Sequence, residues 1–422
     1  TIMQKKFEEH SDFNLSEINK QVLEEWDKNH ASERSVSEHE GFPHFTFYEG
    51  PPSANGHPGI HHVLARTIKD TICRYKTMKG FYVPRKAGWD THGLPVELGV
   101  EKEMGITKDD IGKTVSIEEY NAHCRSNVMK FTAEWENLSR LIGYWVDMKR
   151  PYITYENYYI ESVWWLLHNL YSQGLIYKGY TIQPYSPAAG TGLSSHELNM
   201  PGCYRDVKDT TVTAMFRMTS PQGAFKTDWG ETYFMAWTTT PWTLPSNTAL
   251  CVGPKIDYVL VNTFNPYTAQ PISVVMAEAR IASYFNPAGA EAAMENYEKG
   301  GKILPYRVVA HFKGTDLEGL KYEQLFAYVN PGEGAFRVIL GDYVSTEDGT
   351  GIVHIAPTFG ADDAFVAKKA GVPALQLIDK NGNKRPMVDL KGRFYKLEDL
   401  DEDFKQKHMN VDLYKTYAGR YV

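Results

Sequence analysis

From Ile60 the apolar residues fall at 60, 63, 64, 68, 72 and 75, the spacing of one helix face. Gly80 stops this helix. Before it, "FPHFTFYEG" (42–50) alternates aromatic and polar residues, which predicts a strand ending at Pro51-Pro52. After it, "FYVPRKAGWD" (81–90) predicts a second short strand and "THGLPVE" (91–97) a loop. Strand, crossover helix, strand is a βαβ unit, whose ligands gather at the strand ends. A further helix is predicted over Glu156–Ser172, with Ile160, Val163, Trp164, Leu167, Leu170 and Tyr171 on one face and Gly174 as its stop. Residues 1–40 read as a polar helical lead-in with a linker.

Beyond Tyr204 the texture changes. Short β-like runs follow one another: "TVTAMFRM", "YFMAWTT", "DYVLVNTF", "ISVVMA", "FRVILGDYV" and "GIVHIAP". Turn residues separate them, as in a small barrel or sandwich. The expected organisation is therefore an α/β domain over 41–204 and a β-rich domain over 205–422 that interrupts it. The α/β part holds too few strands to close a sheet alone.

The 422 residues are 42% apolar and 23% charged, as in a folded protein that can bury real cores. A net charge of −7 argues against wholesale wrapping by nucleic acid, while leaving room for a local basic groove. Cys73, Cys124, Cys203 and Cys251 form no C-x-x-C pair, so neither a disulfide framework nor a zinc ribbon is expected. Isolated thiols suit a reducing cytosol. No apolar run approaches the roughly 20 residues of a membrane span.

The chemistry concentrates where the first helix begins, in "PPSANGHPGIHH". A helix N-terminus carries unpaired N–H groups and partial positive charge, and so attracts phosphate. Histidines on its first turn add donors, and glycine lets a flat base approach the backbone. The Walker pattern is absent. Any one of His57, His61 and His62 alone is more often a plain surface residue; the block together is less readily accidental.

"PPSANG…GIHH…KD" followed by "GWDTHGLPVE" resembles the class I aminoacyl-tRNA synthetases, and within them the isoleucyl enzymes. "ESVWWLLHNLYSQGLIYKGYTIQPYSP" is similar to the same family's continuation. "AWTTTPWTLPSNTAL" and "GTGIVHIAPTFGADDAF" resemble its inserted editing domain. The resemblance implies a Rossmann-like nucleotide-binding half with an inserted, mainly-β editing domain. It implies ligation of isoleucine to its tRNA through isoleucyl-adenylate, with ATP and Mg²⁺, by a monomeric cytosolic enzyme. The family's His-Ile-Gly-His stands here as Gly59-Ile60-His61-His62, so glycine and histidine have exchanged places. The resemblance assigns His61 and His62 to catalysis; Asn55, Gly56 and Gly59 join them around ATP. It assigns Gly50, Pro51, Asp90 and His92 to the amino acid, with Asp90 as the carboxylate for its ammonium group. A strand-end Asp can equally cap a loop.

In the β-rich part the resemblance assigns Thr238, Thr239, Thr240, Trp242, Thr243, Asn247, His354 and Asp363 to hydrolytic proofreading of misactivated valine. Asp363 would hold the ammonium and His354 limit side-chain size. A threonine triplet alone is usually just strand, and either Asp362 or Asp363 could cap the helix expected over Ala364–Lys369. The family's Lys-Met-Ser-Lys-Ser loop does not occur, and "KTMKG" (76–80) is no substitute for it. The chain is therefore expected to be part of a longer enzyme. Ser186 and Ala189 stand where metal-binding relatives carry thiols, so zinc is not expected. Two rival readings remain: a free-standing editing hydrolase, and a non-catalytic binding protein built on the nucleotide fold.

Overall fold

The computed structural model describes residues 13–47, 49–179 and 181–422; the start of the expected lead-in lies outside them. The chain divides into two compact units, Thr1–Lys178 and Gly179–Val422.

The first unit has a small parallel sheet at its centre. Strand Lys86–Trp89 pairs in parallel with strand Asp147–Ile153. On its other side, among the described residues, the expected strand at 42–50 is reduced to one isolated bridge, His44 to Tyr82, and a second bridge, Ser53 to Asp90, follows the Pro51-Pro52 step. Phe45 N–H donates to Tyr82 O at 3.0 Å, and Asp90 N–H donates to Pro52 O at 3.1 Å. The Pro-Pro step supplies no N–H to a ladder, which is one reason the pairing stays broken there. Helix Ile60–Met78 makes the first crossover. Helices Leu94–Met104, Ile117–Val128 and Thr132–Leu141 make the second. The first of these starts inside the stretch expected to be a loop, because Gly93 takes φ 95° and Pro95 follows in the first turn, where its missing N–H costs nothing. The lead-in helix Leu15–Lys28 docks through Trp26, whose ring meets Trp145 edge-on at 5.1 Å.

Neither long apolar stripe is covered among the described residues. On helix Ile60–Met78, Ile60, Leu64, Ile68, Ile72, Tyr75 and Met78 are exposed, while Arg66, Cys73 and Thr77 face inward. Helix Asn157–Ser172 buries none of its residues.

The second unit is built on two sheets around one core. The larger has strand order Arg307–Lys313, Asp257–Phe264, Pro271–Ala277, Glu231–Thr238, Val212–Arg217, with one parallel pair, Glu231–Thr238 beside Pro271–Ala277. The smaller runs Arg337–Leu340, Ala249–Val252, Ile352–Ile355. Phe216, Phe234, Leu260 and Val275 from the larger sheet pack with Leu250, Val252, Val338 and Ile352 from the smaller. Thr350 ties the sheets: its Oγ1 donates to Met235 O at 2.6 Å, and its carbonyl accepts Ala277 N–H at 2.9 Å. A separate cluster including Leu375, Leu377, Met387, Leu400 and Tyr414 closes the C-terminal part.

Candidate functional site

In the first unit the strand ends bring two of the expected segments together. The Ser53–Asp90 bridge and the Asp90 N–H to Pro52 O bond set the Gly50–Pro52 stretch beside Asp90. Asp90 turns its Oδ1 to the His92 N–H at 3.2 Å, so it also braces its own loop. His92 itself is exposed. Beneath Gly50 lies a residue the sequence did not single out. Glu49 is buried; its Oε1 accepts from Lys69 Nζ at 2.5 Å, and its Oε2 accepts the Tyr144 hydroxyl. Its carbonyl accepts the Tyr152 hydroxyl at 2.7 Å. These three contacting groups fix the backbone immediately before the Gly-Pro-Pro turn.

The helix start is organised from within. His62 Nδ1 accepts the Gly59 N–H at 2.9 Å, taking up one of the donors left open there. His62 stacks edge-on against Trp135 at 4.6 Å, and Trp135 Nε1 donates to Gly56 O at 2.9 Å. Phe131 N–H donates to Ala54 O at 2.9 Å, pinning the turn that carries Asn55. Burial, then the neighbouring His61, holds the His62 imidazole below its ordinary pKa, as an acceptor of an N–H requires. His61 is exposed, its ring 3.8 Å from that of His62. A Cβ at position 59 would stand 2.8 Å from His61 Cε1, so a side chain there would require the exposed His61 ring to turn aside. His57 is held aside by Glu134, at 2.7 Å.

The second unit gathers its candidates around one cavity of about 430 Å³, lined by Thr238, Thr239, Thr240, Trp242, Thr243, His354 and Asp363. The chain path explains the convergence. Thr238 ends strand Glu231–Thr238, and the chain then turns through a short helical segment, Pro241–Ser246, that carries Trp242 and Thr243. His354 lies on the strand Ile352–Ile355 of the smaller sheet, and Asp363 in the first turn of helix Ala361–Ala370. Thr239 and Thr240 are exposed at the mouth, whereas Thr243 and His354 are buried at the floor. Trp242 is fixed edge-on against Phe359 at 5.0 Å.

Asp363, rather than Asp362, makes the local backbone contact: its Oδ2 accepts the Ala356 N–H at 2.8 Å. The cap position of the helix is Gly360, with no side-chain cap. A Cβ on Gly360 would stand 2.7 Å from the Asp363 carboxyl carbon, so the glycine leaves that carboxylate its room. Burial raises the Asp363 pKa, the Ala356 N–H opposes this, and Asp362 adds to it. A half-buried anion with one hydrogen bond and a raised proton affinity is poised for a cationic partner. Asn247 lines no part of the cavity described above; it sits behind the floor, its Nδ2 at 3.4 Å from His354 Nδ1. Thr243 Oγ1 lies 2.9 Å from His354 Nε2. Burial pushes the His354 imidazole down to about 4.

A sequence model described as "tRNA synthetases class I (I, L, M and V)" matches residues 21–414. The chain belongs to that family. It is 69% identical over 420 residues to the isoleucine–tRNA ligase of Bacteroides fragilis, covering all of this chain and 37% of that protein. The ligase of Porphyromonas gingivalis is 65% identical over 421 residues, with the same coverage. That of Clostridium tetani is 44% identical over 87% of this chain and 32% of its own length. The chain thus spans little more than a third of these relatives. Among solved structures, the P. falciparum cytosolic leucyl-tRNA synthetase editing domain matches 40% of this synthetase chain at 14% identity and a TM-score of 0.27, too low to bear on the pocket.

Within this synthetase chain the short hairpin Tyr185–Ser186 and Thr191–Gly192 holds the residues expected in place of metal-binding thiols; Ser186 Oγ accepts the Ala189 N–H at 3.2 Å. Among the described residues no helix is long and apolar enough to cross a membrane. Glu49 escaped sequence reading because an isolated acid in an aromatic strand resembles a solvent-facing position. Lys69, 20 residues further along the chain, gave no signal of the pairing.

Proposed function

We propose that this chain carries two sites of an isoleucine–tRNA ligase: the amino-acid side of an activation site in the first unit, and a proofreading hydrolase in the second. The observation that carries the reading is the convergence of Thr238, Thr239, Thr240, Trp242, Thr243, His354 and Asp363 on one cavity, from three separate stretches of chain. The family membership and the 69% identity to an isoleucine–tRNA ligase supply the reaction.

In the activation site, isoleucine carboxylate attacks the α-phosphate of ATP. The new C–O–P bond gives isoleucyl-adenylate, and pyrophosphate leaves; the tRNA ribose hydroxyl then displaces AMP. Pro51 walls the side-chain pocket, Asp90 receives the ammonium, and Asn55, Gly56, Gly59 and His61 face the nucleotide. His62 keeps its Nδ1 on the helix backbone, so its contribution to phosphate comes through the helix start it holds. Mg²⁺ enters with ATP on phosphate oxygens, as it commonly does, rather than in an all-protein cage.

One methylene distinguishes isoleucine from valine and is worth about 1–3 kcal/mol in a pocket, isoleucine against valine being the standard case. A second, smaller sieve removes the error. In it, water adds to the ester carbonyl of a valyl-adenosine end, the bond to the ribose oxygen breaks, that oxygen takes the proton, and valine leaves. Asp363 anchors the ammonium, the threonine hydroxyls at the mouth hold the ribose and the water, and His354 closes the floor to a larger side chain.

The test is calorimetric titration with non-hydrolysable valyl- and isoleucyl-adenosine mimics. Asp363→Ala should weaken the valyl mimic by about one to two decades, the worth of a charge-assisted contact of about 1.5–3 kcal/mol. Asp362→Ala should change it little. Equal binding by wild type and Asp363→Ala removes Asp363 from the site.

A further inference from the structure

Behind the cavity floor runs a chain of buried polar side chains with only one consistent direction. Tyr322 O–H donates to Asn247 Oδ1 at 2.6 Å. The amide orientation is not free: Asn247 Nδ2 faces Ala249 O at 2.8 Å and Ile355 O at 3.5 Å, which demands the NH₂ on that side. That NH₂ also reaches His354 Nδ1 at 3.4 Å, so Nδ1 must be the unprotonated nitrogen. At the other ring nitrogen, Thr243 spends its single proton on Thr240 O at 2.8 Å. Its Oγ1 can therefore only accept from His354, at 2.9 Å, and Nε2 must carry the hydrogen. Both ends agree on one tautomer.

We infer that Tyr322 is a positioning residue of the hydrolytic pocket: together with the Ala249 and Ile355 carbonyls it holds the Asn247 amide which, with Thr243, fixes the tautomer and orientation of His354, so that the imidazole serves as a rigid wall and not as an acid or base. This rests on the proofreading reading above and deepens it. With both nitrogens committed, the ring has no free lone pair or N–H for a substrate, and what it can offer the cavity is carbon. Sharp discrimination by a methylene needs such a wall to stand still. Tyr322 lies outside the cavity. It is buried, its ring held edge-on by Phe216 at 5.3 Å and Phe336 at 6.0 Å, and its N–H bonded to Phe336 O at 3.0 Å. The hydroxyl thus acts from a fixed platform.

The experiment uses ¹⁵N-histidine-labelled chain, with His354 assigned by the His354→Gln variant, and a long-range proton–nitrogen spectrum that distinguishes protonated from bare ring nitrogens. Wild type should show His354 with hydrogen on Nε2 alone. Tyr322→Phe removes one oxygen and leaves the ring platform, so the fold should survive while the His354 signals move toward a mixture of tautomers. The valyl-to-isoleucyl mimic affinity ratio should fall about tenfold, the low end of what one methylene is worth. A merely structural tyrosine would lower thermal stability without moving either readout, and that result overturns the proposal. If Tyr322→Phe does not fold, Asn247→Asp reads the same link: an acceptor facing Nδ1 should pull the hydrogen to Nδ1, and an unchanged tautomer overturns the proposal. If wild type binds neither mimic, the proofreading reading fails, and the tautomer spectrum alone decides whether Tyr322 sets the ring.

Discussion

His62 accepts the backbone N–H of Gly59, three residues before it, through Nδ1 at 2.9 Å. A residue expected to face phosphate is thereby also the cap of the helix that faces phosphate. His62→Ala opens that donor and should cost about 0.5–2 kcal/mol, the range of lost helix caps. Burial holds the folded imidazole below the ordinary value near 6.5, so the unfolded chain binds the proton more readily. The contribution is complete above about 6.5 and is lost as pH falls through the folded value. Urea midpoints of wild type and variant should therefore differ at pH 7.5 and converge at lower pH. A gap that widens on acidification contradicts the cap.

Glu49 predicts a second effect in the same unit. Its carboxylate is buried against Lys69 and Tyr144, and removing one partner of a buried pair commonly costs about 3–5 kcal/mol. Lys69 keeps part of its surface in water, which places Glu49→Ala at or below the low end of that range. Chemical denaturation should show the loss, and isoleucine binding should weaken with it, since Gly50 and Pro51 follow directly. Loss of stability with isoleucine affinity unchanged would separate Glu49 from the pocket.

Much of this was legible in the sequence, for reasons that differ by residue. Strands such as Asp257–Phe264 and Pro271–Ala277 were read from β-rich apolar runs. Ala249–Val252 was missed because all four residues are buried, so the run carries no alternation and is short. The 3.6-residue period identified helix Ile60–Met78 but said nothing of what covers it, and its stripe is exposed. The first residues of Leu94–Met104 fall in the stretch 91–97 expected to be a loop, although a proline in the first turn is a start signal. In the cavity, Thr243 and His354 stood out by resemblance. Tyr322 did not, because its role exists only where three distant stretches of chain meet.

His354 yields a prediction free of any ligand. Burial pushes its imidazole down to about 4. The folded chain therefore holds it neutral across ordinary pH, and its stabilising contribution is complete above about 6.5 and lost as pH falls toward 4. The gap between the two values is worth about 3 kcal/mol at most. An NMR titration should show the His354 ring unchanged from pH 8 to 5.5. Titration of His354 near 6.5 would mean the floor is open to water.

Asp363 carries the opposite sign, and it sets function against stability. Burial raises its proton affinity, so the folded state favours the neutral acid. For a raised carboxyl, the favourable contribution is present below the unfolded value near 4 and is lost as pH rises through the folded value. At neutral pH the ionised group is thus kept at a cost. Asp363→Asn removes the charge and retains an oxygen that can accept the Ala356 N–H, the contact Oδ2 makes at 2.8 Å. The variant should unfold at a higher urea concentration than wild type at pH 7, and the advantage should shrink as pH is lowered toward 4. The same variant should bind the valyl-adenosine mimic more weakly, because a neutral amide cannot pair with an ammonium group. Binding sites often trade stability for activity in this way. If Asp363→Asn destabilises the chain at pH 7 and leaves mimic binding intact, the carboxylate is a helix-start brace for Ala356 and nothing more.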